Sequence, residues 1–125
     1  PMVPMIDFPV VDVRDVAELQ LRALEAPGVA GLRILAGAGN MTMPDMAAEL
    51  KRAYPNRRIA TRIAPRFVLN ILALFDPQIK AILPSIGKSH PISNARAKQV
   101  LNMQFIAPGA ALRASADWLI AHKQV

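Results

Sequence analysis

The feature that most constrains the fold is a strand, helix and strand pattern in residues 10–35. Residues 10–13 form a β-branched run, interrupted by one aspartate, that favours a strand ending at Arg14. Residues 32–36 are a second apolar run of strand length. Because one helix-length segment separates the two runs, they predict two parallel strands with a right-handed connection.

The segment between the two runs carries the signals of a helix. Asp15 can cap its N-terminus, and Glu18 follows at the capping-box spacing. Apolar residues then recur at helical spacing, and Pro27 and Gly28 end the pattern. These signals predict a helix over residues 16–26.

Two parallel strands are too few for a stable sheet, because parallel sheets need several strands and helices on both faces. The rest of the sequence contains no further long strand pattern. We therefore expect an α/β protein whose remaining strands lie on sequence outside these 125 residues. The chain begins at Pro1, which fits either a start inside a longer protein or removal of an initiator methionine.

Length and composition limit the class of protein. A chain of 125 residues corresponds to about one domain. It has no apolar run near the ~20 residues that cross a bilayer, and its first residues carry no signal-peptide pattern. It also has no cysteine, which excludes disulfides and thiolate chemistry. We expect no membrane span and a cytoplasmic location.

The charge is unevenly distributed. Residues 1–49 have a balance of −4 and residues 50–125 a balance of +10, which gives the net charge of +6. Six bases without an acid occupy one short window: Lys51, Arg52, Arg57, Arg58, Arg62 and Arg66. Cofactor phosphate or nucleic acid could bind such a window. Only Tyr54 could stack on a base there, so a solvated basic face is the preferred interpretation and no nucleic-acid partner is expected.

From residue 42 onward the signals are mainly helical. Thr42 and Asp45 predict a capped helix with a methionine-containing apolar stripe. Pro65 starts another, and residues 67–75 of it contain a single polar side chain. A helix that is apolar all round must be buried or must face a partner. The remaining predicted helices begin with caps at Asp76 and Ser93 and after Pro108.

The sequence contains no complete catalytic or metal motif. His90 and His122 have no other ligand at metal-binding spacing, so no metal is expected. Gly37 and Gly39 lie between predicted elements as a dinucleotide-binding loop would. The third glycine of that fingerprint is Thr42 here, and no acid follows at the required distance, so a plain loop is preferred.

Several segments nevertheless resemble the C-terminal part of extended short-chain dehydrogenases/reductases, within which bacterial aldehyde reductases and dihydroflavonol-reductase-like enzymes are the most similar. The similar stretches are VVDVRDVAELQLRALEAP with GLRIL, TMPDMAAELKRAYP, FDPQIKAILPSIGK, SNARAKQVL and ALRASADWLI. One departure is Asn102-Met103, where such enzymes usually carry Gly-Trp. Asparagine can adopt the left-handed conformation of that glycine.

The resemblance implies a Rossmann-like enzyme that reduces an aldehyde or ketone by hydride transfer from NADP, or less often NAD. Residues 1–40 would end the dinucleotide-binding sheet with late parallel strands, and residues 41–125 would form a mostly helical substrate lobe. The cofactor loop and the catalytic Ser and Tyr-x-x-x-Lys group lie in the N-terminal half of such enzymes. That half is absent from this sequence, so no catalytic or cofactor-binding residue can be assigned in it and no cofactor is expected for this segment alone.

The resemblance also implies where substrate and partners bind. Met2, Val3, Pro4 and Met5 are candidate substrate-pocket residues, with a simple connecting loop as the alternative. The expected partners are a small carbonyl substrate, the missing N-terminal half and a second copy in a homo-oligomer. Two other interpretations remain open: a stand-alone helical module that binds a protein or an anionic partner, and a nucleic-acid-binding domain.

Overall fold

The computed structural model describes residues 2–125, so the expectation that concerns Pro1 lies outside the described residues. The described chain is mixed α/β and about half helical. Its elements are β1 (Met2–Val3), β2 (Asp7–Val10), α1 (Val13–Glu25), β3 (Gly39–Thr42), α2 (Met43–Ala53), β4 (Arg62–Ile63), α3 (Arg66–Leu72), α4 (Pro77–Ile82), a 3-10 turn (Leu83–Ser85), α5 (Ala95–Leu101) and α6 (Pro108–Ala121).

The chain forms two compact units, each built from two stretches. Unit 1 contains the residues up to Phe8 together with Met41–His90. Unit 2 contains Pro9–Asn40 and Pro91–Val125. The division predicted at residue 40 coincides with one of the points where the chain passes between units. The assignment of the two sides to a dinucleotide-binding sheet and a substrate lobe stays a prediction.

Unit 1 has a small core beneath its helices. Strand β1 pairs in parallel with β4, with Met2 opposite Arg62 and Val3 opposite Ile63. Helix α3 packs against α4. The buried residues of the core are Ile6, Ala64, Leu69 and Ile86, and the half-buried side chains packed against them are Met5, Ile79, Ile82 and Leu83.

Unit 2 is organised around the packing of α1 against α5. Its core contains the most deeply buried residue that the structure describes, Ala97, which has no exposed surface. The other buried members are Leu19, Leu101 and Met103, and the half-buried side chains packed on them are Ala23, Ala26, Val29, Ile34, Ala36 and Phe105. The Arg22 guanidinium donates to the carbonyls of Leu101 and Asn102 and so ties α1 to the end of α5.

Helix α1 begins earlier than the sequence predicts, and the predicted strand over residues 10–13 is wrong beyond Val10. Asp12 is the N-cap, and its carboxylate accepts the Arg14 backbone N–H at 2.9 Å. A short carboxylate that caps a helix competes with extended structure, and here it ends the strand. Asp15, the predicted cap, lies in the first turn of the helix instead.

The second predicted strand is also wrong. Residues 32–36 form no strand in the described chain, and β3 pairs with β2 instead. The Ala38 N–H donates to the Val10 carbonyl and the Met43 N–H to the Ile6 carbonyl, so the two strands run in opposite directions. Residues 32–36 have no neighbouring strand among the described residues. The predicted parallel pair with a helical crossover is therefore absent from the described chain, and its parallel pair is β1 with β4.

Several local predictions are confirmed. Thr42 and Asp45 form a capping box at the start of α2, and Asp76 caps α4. Asn102 has φ 48° and ψ 40°, the left-handed conformation expected for it. One cap is wrong by a residue, since Asn94 rather than Ser93 is the N-cap of α5.

Helix α3 is shorter than the apolar run that predicts it. It ends at Leu72, and the run continues through a turn to Phe75. Among the described residues, no helix is both long and apolar enough to cross a membrane.

Candidate functional site

The predicted pocket residues 2–5 lie at one edge of unit 1. Met2 and Val3 form β1, and the Val3 carbonyl accepts the Ala64 N–H at 2.8 Å. The Met5 carbonyl accepts the Gly87 N–H at 2.9 Å, and the Met5 side chain packs on the core of unit 1. The segment is thus a fixed part of unit 1, with Met2 half exposed.

A groove of about 560 Å³ lies over α3, α4 and the turn between them. It is lined by Asn70, Ala73, Leu74, Phe75, Pro77, Lys80 and Leu83. Leu83 also packs on the core cluster that contains Ile6, so the floor of the groove is fixed to the body of unit 1. Small-molecule sites in proteins are commonly apolar depressions of this volume.

Apolar side chains dominate the surface around this groove. Leu69 and Ala73 are buried, but Leu74 is 80% and Phe75 83% exposed. Phe67, Ile71 and Leu72 are exposed as well. The expected burial of this helix therefore holds for one face only. Its other face forms an apolar surface patch in unit 1.

Two polar side chains line the groove, the Asn70 amide and the Lys80 ammonium. Lys80 is the only charged residue in the lining, and no ion pair to it is present among the described residues. The nearest acid in sequence, Asp76, accepts the Gln78 N–H at 2.8 Å as the cap of α4. The groove therefore combines an apolar surface with one positive charge.

The structure places one hydroxyl beside a carboxylate. Ser89 donates a hydrogen bond to Asp7 within unit 1. His122 stacks on Trp118 at the end of α6, with ring centroids 4.1 Å apart. No group of three possible metal ligands occurs in the described part of the chain.

The glycine pair between the predicted elements has a packing role. Gly37 is buried, and a Cβ at this position would overlap the Ile92 side chain. The Gly37 carbonyl accepts from the Asn94 side-chain amide at 2.6 Å. The Ile92 side chain therefore explains the glycine at position 37 by packing.

Two bases of the basic window, Lys51 and Arg52, make contacts at the C-terminal end of α2. Lys51 donates to the carbonyls of Pro55 and Arg57 at 2.8 and 2.9 Å. Arg52 pairs with Glu49 across one helical turn. Cations near a helix C-terminus stabilise its unpaired carbonyls. The other four bases of the window are exposed, as a solvated basic face requires.

The residues that carry the family resemblance in unit 2 hold distant segments together. The Asp15 carboxylate is buried and accepts the Ile106 N–H at 2.8 Å. Arg96 donates to the Arg33 carbonyl at 2.9 Å. At Asp12, the hydrogen bonds from Arg14 lower the pKa of the carboxyl to about 2. The contacts of these side chains within the protein account for the local sequence pattern.

Sequence reasoning missed the polar groups of the groove, Asn70 and Lys80. The signal that could have found them was the apolar run over residues 67–75, which indicated a surface for a partner, followed by the capped start of α4. What the arrangement offers is binding rather than bond chemistry, because a single lysine and an amide line it. The chain matches no model of a known protein family, and no curated protein matches it.

Proposed function

We propose that this chain is the C-terminal, substrate-lobe part of an NAD(P)H-dependent reductase of the extended short-chain type, which reduces an aldehyde or ketone by hydride transfer. It is inactive without an N-terminal half that holds the cofactor and the catalytic residues. The proposal rests on the resemblance of the segments quoted above. The observation that carries it in the structure is an excess of solvent-accessible surface over that of a compact protein of this mass.

The described chain exposes 8739 Å². A compact protein of 13.6 kDa exposes about 6,600 Å², and two separate units of half that mass together expose about 7,900 Å². The excess exists for either arrangement of the two units. It is of the size that protein interfaces bury. Further sequence that covers this surface is what the proposal requires.

Residues 32–36 provide the most specific support. Ile34 and Ala36 pack on the core of unit 2, whereas Leu32 and Leu35 are exposed. The backbone N–H groups of residues 33–37 donate no backbone hydrogen bond within the described chain. Backbone donors without a backbone acceptor, beside exposed apolar side chains, are expected of a segment that further sequence covers. In the proposed enzyme, that sequence belongs to the N-terminal half.

The proposal assigns the NADP or NAD site to the N-terminal half, and the packing of Ile92 against Gly37 is consistent with a structural use of this loop. In the proposed enzyme the cofactor binds the N-terminal half and supplies the hydride. This chain shapes the substrate pocket and excludes water from it, and Met2, Val3, Pro4 and Met5 form the wall of the pocket. Exclusion of water protects a hydride transfer from side reactions.

The decisive experiment begins with the coding sequence upstream of Pro1. The proposal expects a glycine-rich strand-to-helix loop and a later Tyr-x-x-x-Lys in the same reading frame. The longer protein should then consume NADPH with aldehydes or ketones, and its Tyr→Phe variant should not. A stop codon ahead of an initiator methionine, or stoichiometric NADPH binding by these 125 residues alone, would contradict the proposal.

A second candidate function is a stand-alone binding module, which the exposed groove of unit 1 favours. The two candidates differ in what completes the surface. A module is monodisperse and folded in isolation, and addition of an N-terminal half leaves the hydrogen exchange of residues 33–37 unchanged. The reductase segment leaves those amides exchanging fast until the N-terminal half is supplied.

A further inference from the structure

We propose that the groove over α3 and α4 binds a single-tailed organic anion, with the apolar tail along Leu74, Phe75 and Leu83 and the anionic group at Lys80. The site lies wholly within unit 1. It does not depend on the proposed reductase function, since no cofactor or catalytic residue takes part.

The size and lining of the groove define the ligand. A volume of about 560 Å³ holds an apolar chain of about ten carbon atoms with room for a head group. The lining residues other than Asn70 and Lys80 are apolar. Burial of the tail removes Leu74 and Phe75 from water, which is the main source of favourable free energy available there.

The charge of the groove selects an anion. Lys80 contributes the single charge of the lining, and unit 1 as a whole carries more bases than acids. Asn70 adds an amide that can donate to the same head group. Asp76 is the one acid close in sequence, and its capping bond to Gln78 directs one of its oxygens toward the backbone. A carboxylate on the ligand therefore meets a cation and a donor.

Decanoate and decan-1-ol are matched probes, because they share a tail and differ in charge. We expect decanoate to bind the full chain in the submillimolar range, with amide chemical-shift changes confined to residues 70–83. Decanol should bind about fivefold more weakly, as expected for loss of one exposed ion pair.

Substitutions of Lys80 and Asp76, each measured with both decanoate and decanol, test the role of charge in binding. Lys80→Met should weaken decanoate about fivefold and leave decanol unchanged, whereas Lys80→Arg should retain decanoate affinity. Asp76→Asn keeps a capping side chain and removes the nearby negative charge, so it should tighten decanoate about twofold. Lys88→Met, at an exposed lysine outside the groove, is the matched control and should change neither affinity.

The tail is tested by Leu74→Glu, which should abolish binding of both probes without loss of helical circular dichroism. Equal affinity for decanoate and decanol, or decanoate binding that Lys80→Met leaves intact, would overturn the proposal. A concentration-dependent dimer that Leu74→Glu dissociates would overturn it as well, because a second copy would then occupy the groove.

Discussion

The two units of this protein use their side chains differently. In unit 2, polar side chains reach far along the chain: Asp15 to Ile106, Asn94 to Gly37 and Arg96 to Arg33. In unit 1, most of the described side-chain hydrogen bonds join residues within one helical turn, and apolar side chains remain exposed on α3. Polar side chains therefore join distant stretches of the chain in unit 2, whereas in unit 1 they mainly stabilise helix ends and single turns.

The two cores also differ in how deeply their residues are buried. In unit 2, Ala97, Leu101 and Met103 are at most 4% exposed and Leu19 is 8% exposed, whereas all four buried residues of the core of unit 1 are 6–8% exposed. Truncation of a residue that is surrounded on all sides lowers the free energy of unfolding more, because its neighbours cannot collapse into the cavity. The substitutions below test this contrast, from the largest expected effect to the smallest.

Leu101→Ala should destabilise unit 2 by about 3 kcal/mol through lost burial and a residual cavity. Trp118, the single tryptophan of the chain and part of unit 2, reports unfolding in denaturant by its fluorescence. Val100→Ala is the control, since Val100 is 42% exposed and should cost under about 0.5 kcal/mol. Equal losses for the two variants would show that the core of unit 2 is not where the contrast lies.

Asp15→Ala should cost unit 2 about 2 kcal/mol, because it leaves the Ile106 N–H without its charged acceptor. Asp15→Asn keeps an acceptor and should recover about half of the loss. Fluorescence-detected unfolding measures both variants against Glu25→Ala, an exposed acid of the same helix. A loss confined to the Glu25 variant would contradict the role given to Asp15.

Asn102→Ala should cost about 1 kcal/mol, because alanine is strained at φ 48° and ψ 40°. Asn102→Gly relieves that strain and should lie within about 0.5 kcal/mol of the natural protein. Fluorescence-detected unfolding in denaturant measures the stability of both variants. If the alanine and glycine variants were equally stable, the left-handed conformation would not be what position 102 contributes.

The ion pair at Asp12 should have a smaller effect, because the Arg14 side chain is largely exposed and its charge is screened. Arg14 holds the pKa of Asp12 at about 2, below its ordinary value of 3.8. The folded state therefore gains stability from the ionised carboxylate above pH 3.8, and loses it as the pH falls through about 2.

Asp12→Asn separates the charge from the cap, since asparagine also caps helices. The variant should be less stable than the natural protein at pH 5, and the difference should be much smaller at pH 2, where about half of the folded-state carboxyl is protonated. Unfolding curves at these two pH values measure it. A difference that stays constant with pH would assign the effect to the cap geometry rather than to Arg14.

Phe75→Ser should leave stability within about 0.5 kcal/mol, because the phenyl ring is 83% exposed. Its effect should appear as higher solubility, since it breaks the apolar patch of unit 1. Circular dichroism and the concentration at which the protein precipitates measure the two outcomes. A large loss of stability would mean that the patch is part of a core, and the contrast between units would fail there.

Local signals in the sequence were reliable at some positions and misplaced at others, since the caps predicted at Asp15 and Ser93 lie at Asp12 and Asn94. Thr42 with Asp45, Asp76 and Asn102 all adopt the conformations that their short polar side chains favour. The strands were not predictable in the same way, because pairing depends on a neighbour elsewhere in the chain. The apolar run at residues 32–36 has strand propensity and no partner in the described chain, so propensity alone gave the wrong answer.

The candidate site was predictable in part. The apolar run over residues 67–75 by itself indicates a buried or partner-facing surface, since its single polar residue, Asn70, leaves no face for water. The position of Lys80 beside that surface depends on how α4 folds back on α3, which no local pattern determines. The role of Asp15 was hidden for the same reason, because its donor lies 91 positions away.

The sequence separation of 91 positions between Asp15 and Ile106 affects folding during synthesis. The bond between Asp15 and Ile106 closes a loop that contains every residue of unit 1 from Met41 to His90. During synthesis, unit 1 is complete at residue 90, while unit 2 waits for its second stretch. Contacts of such long sequence separation form slowly, since loop entropy is lost before they form. The unit with the more deeply buried core is therefore the one whose sequence is completed last.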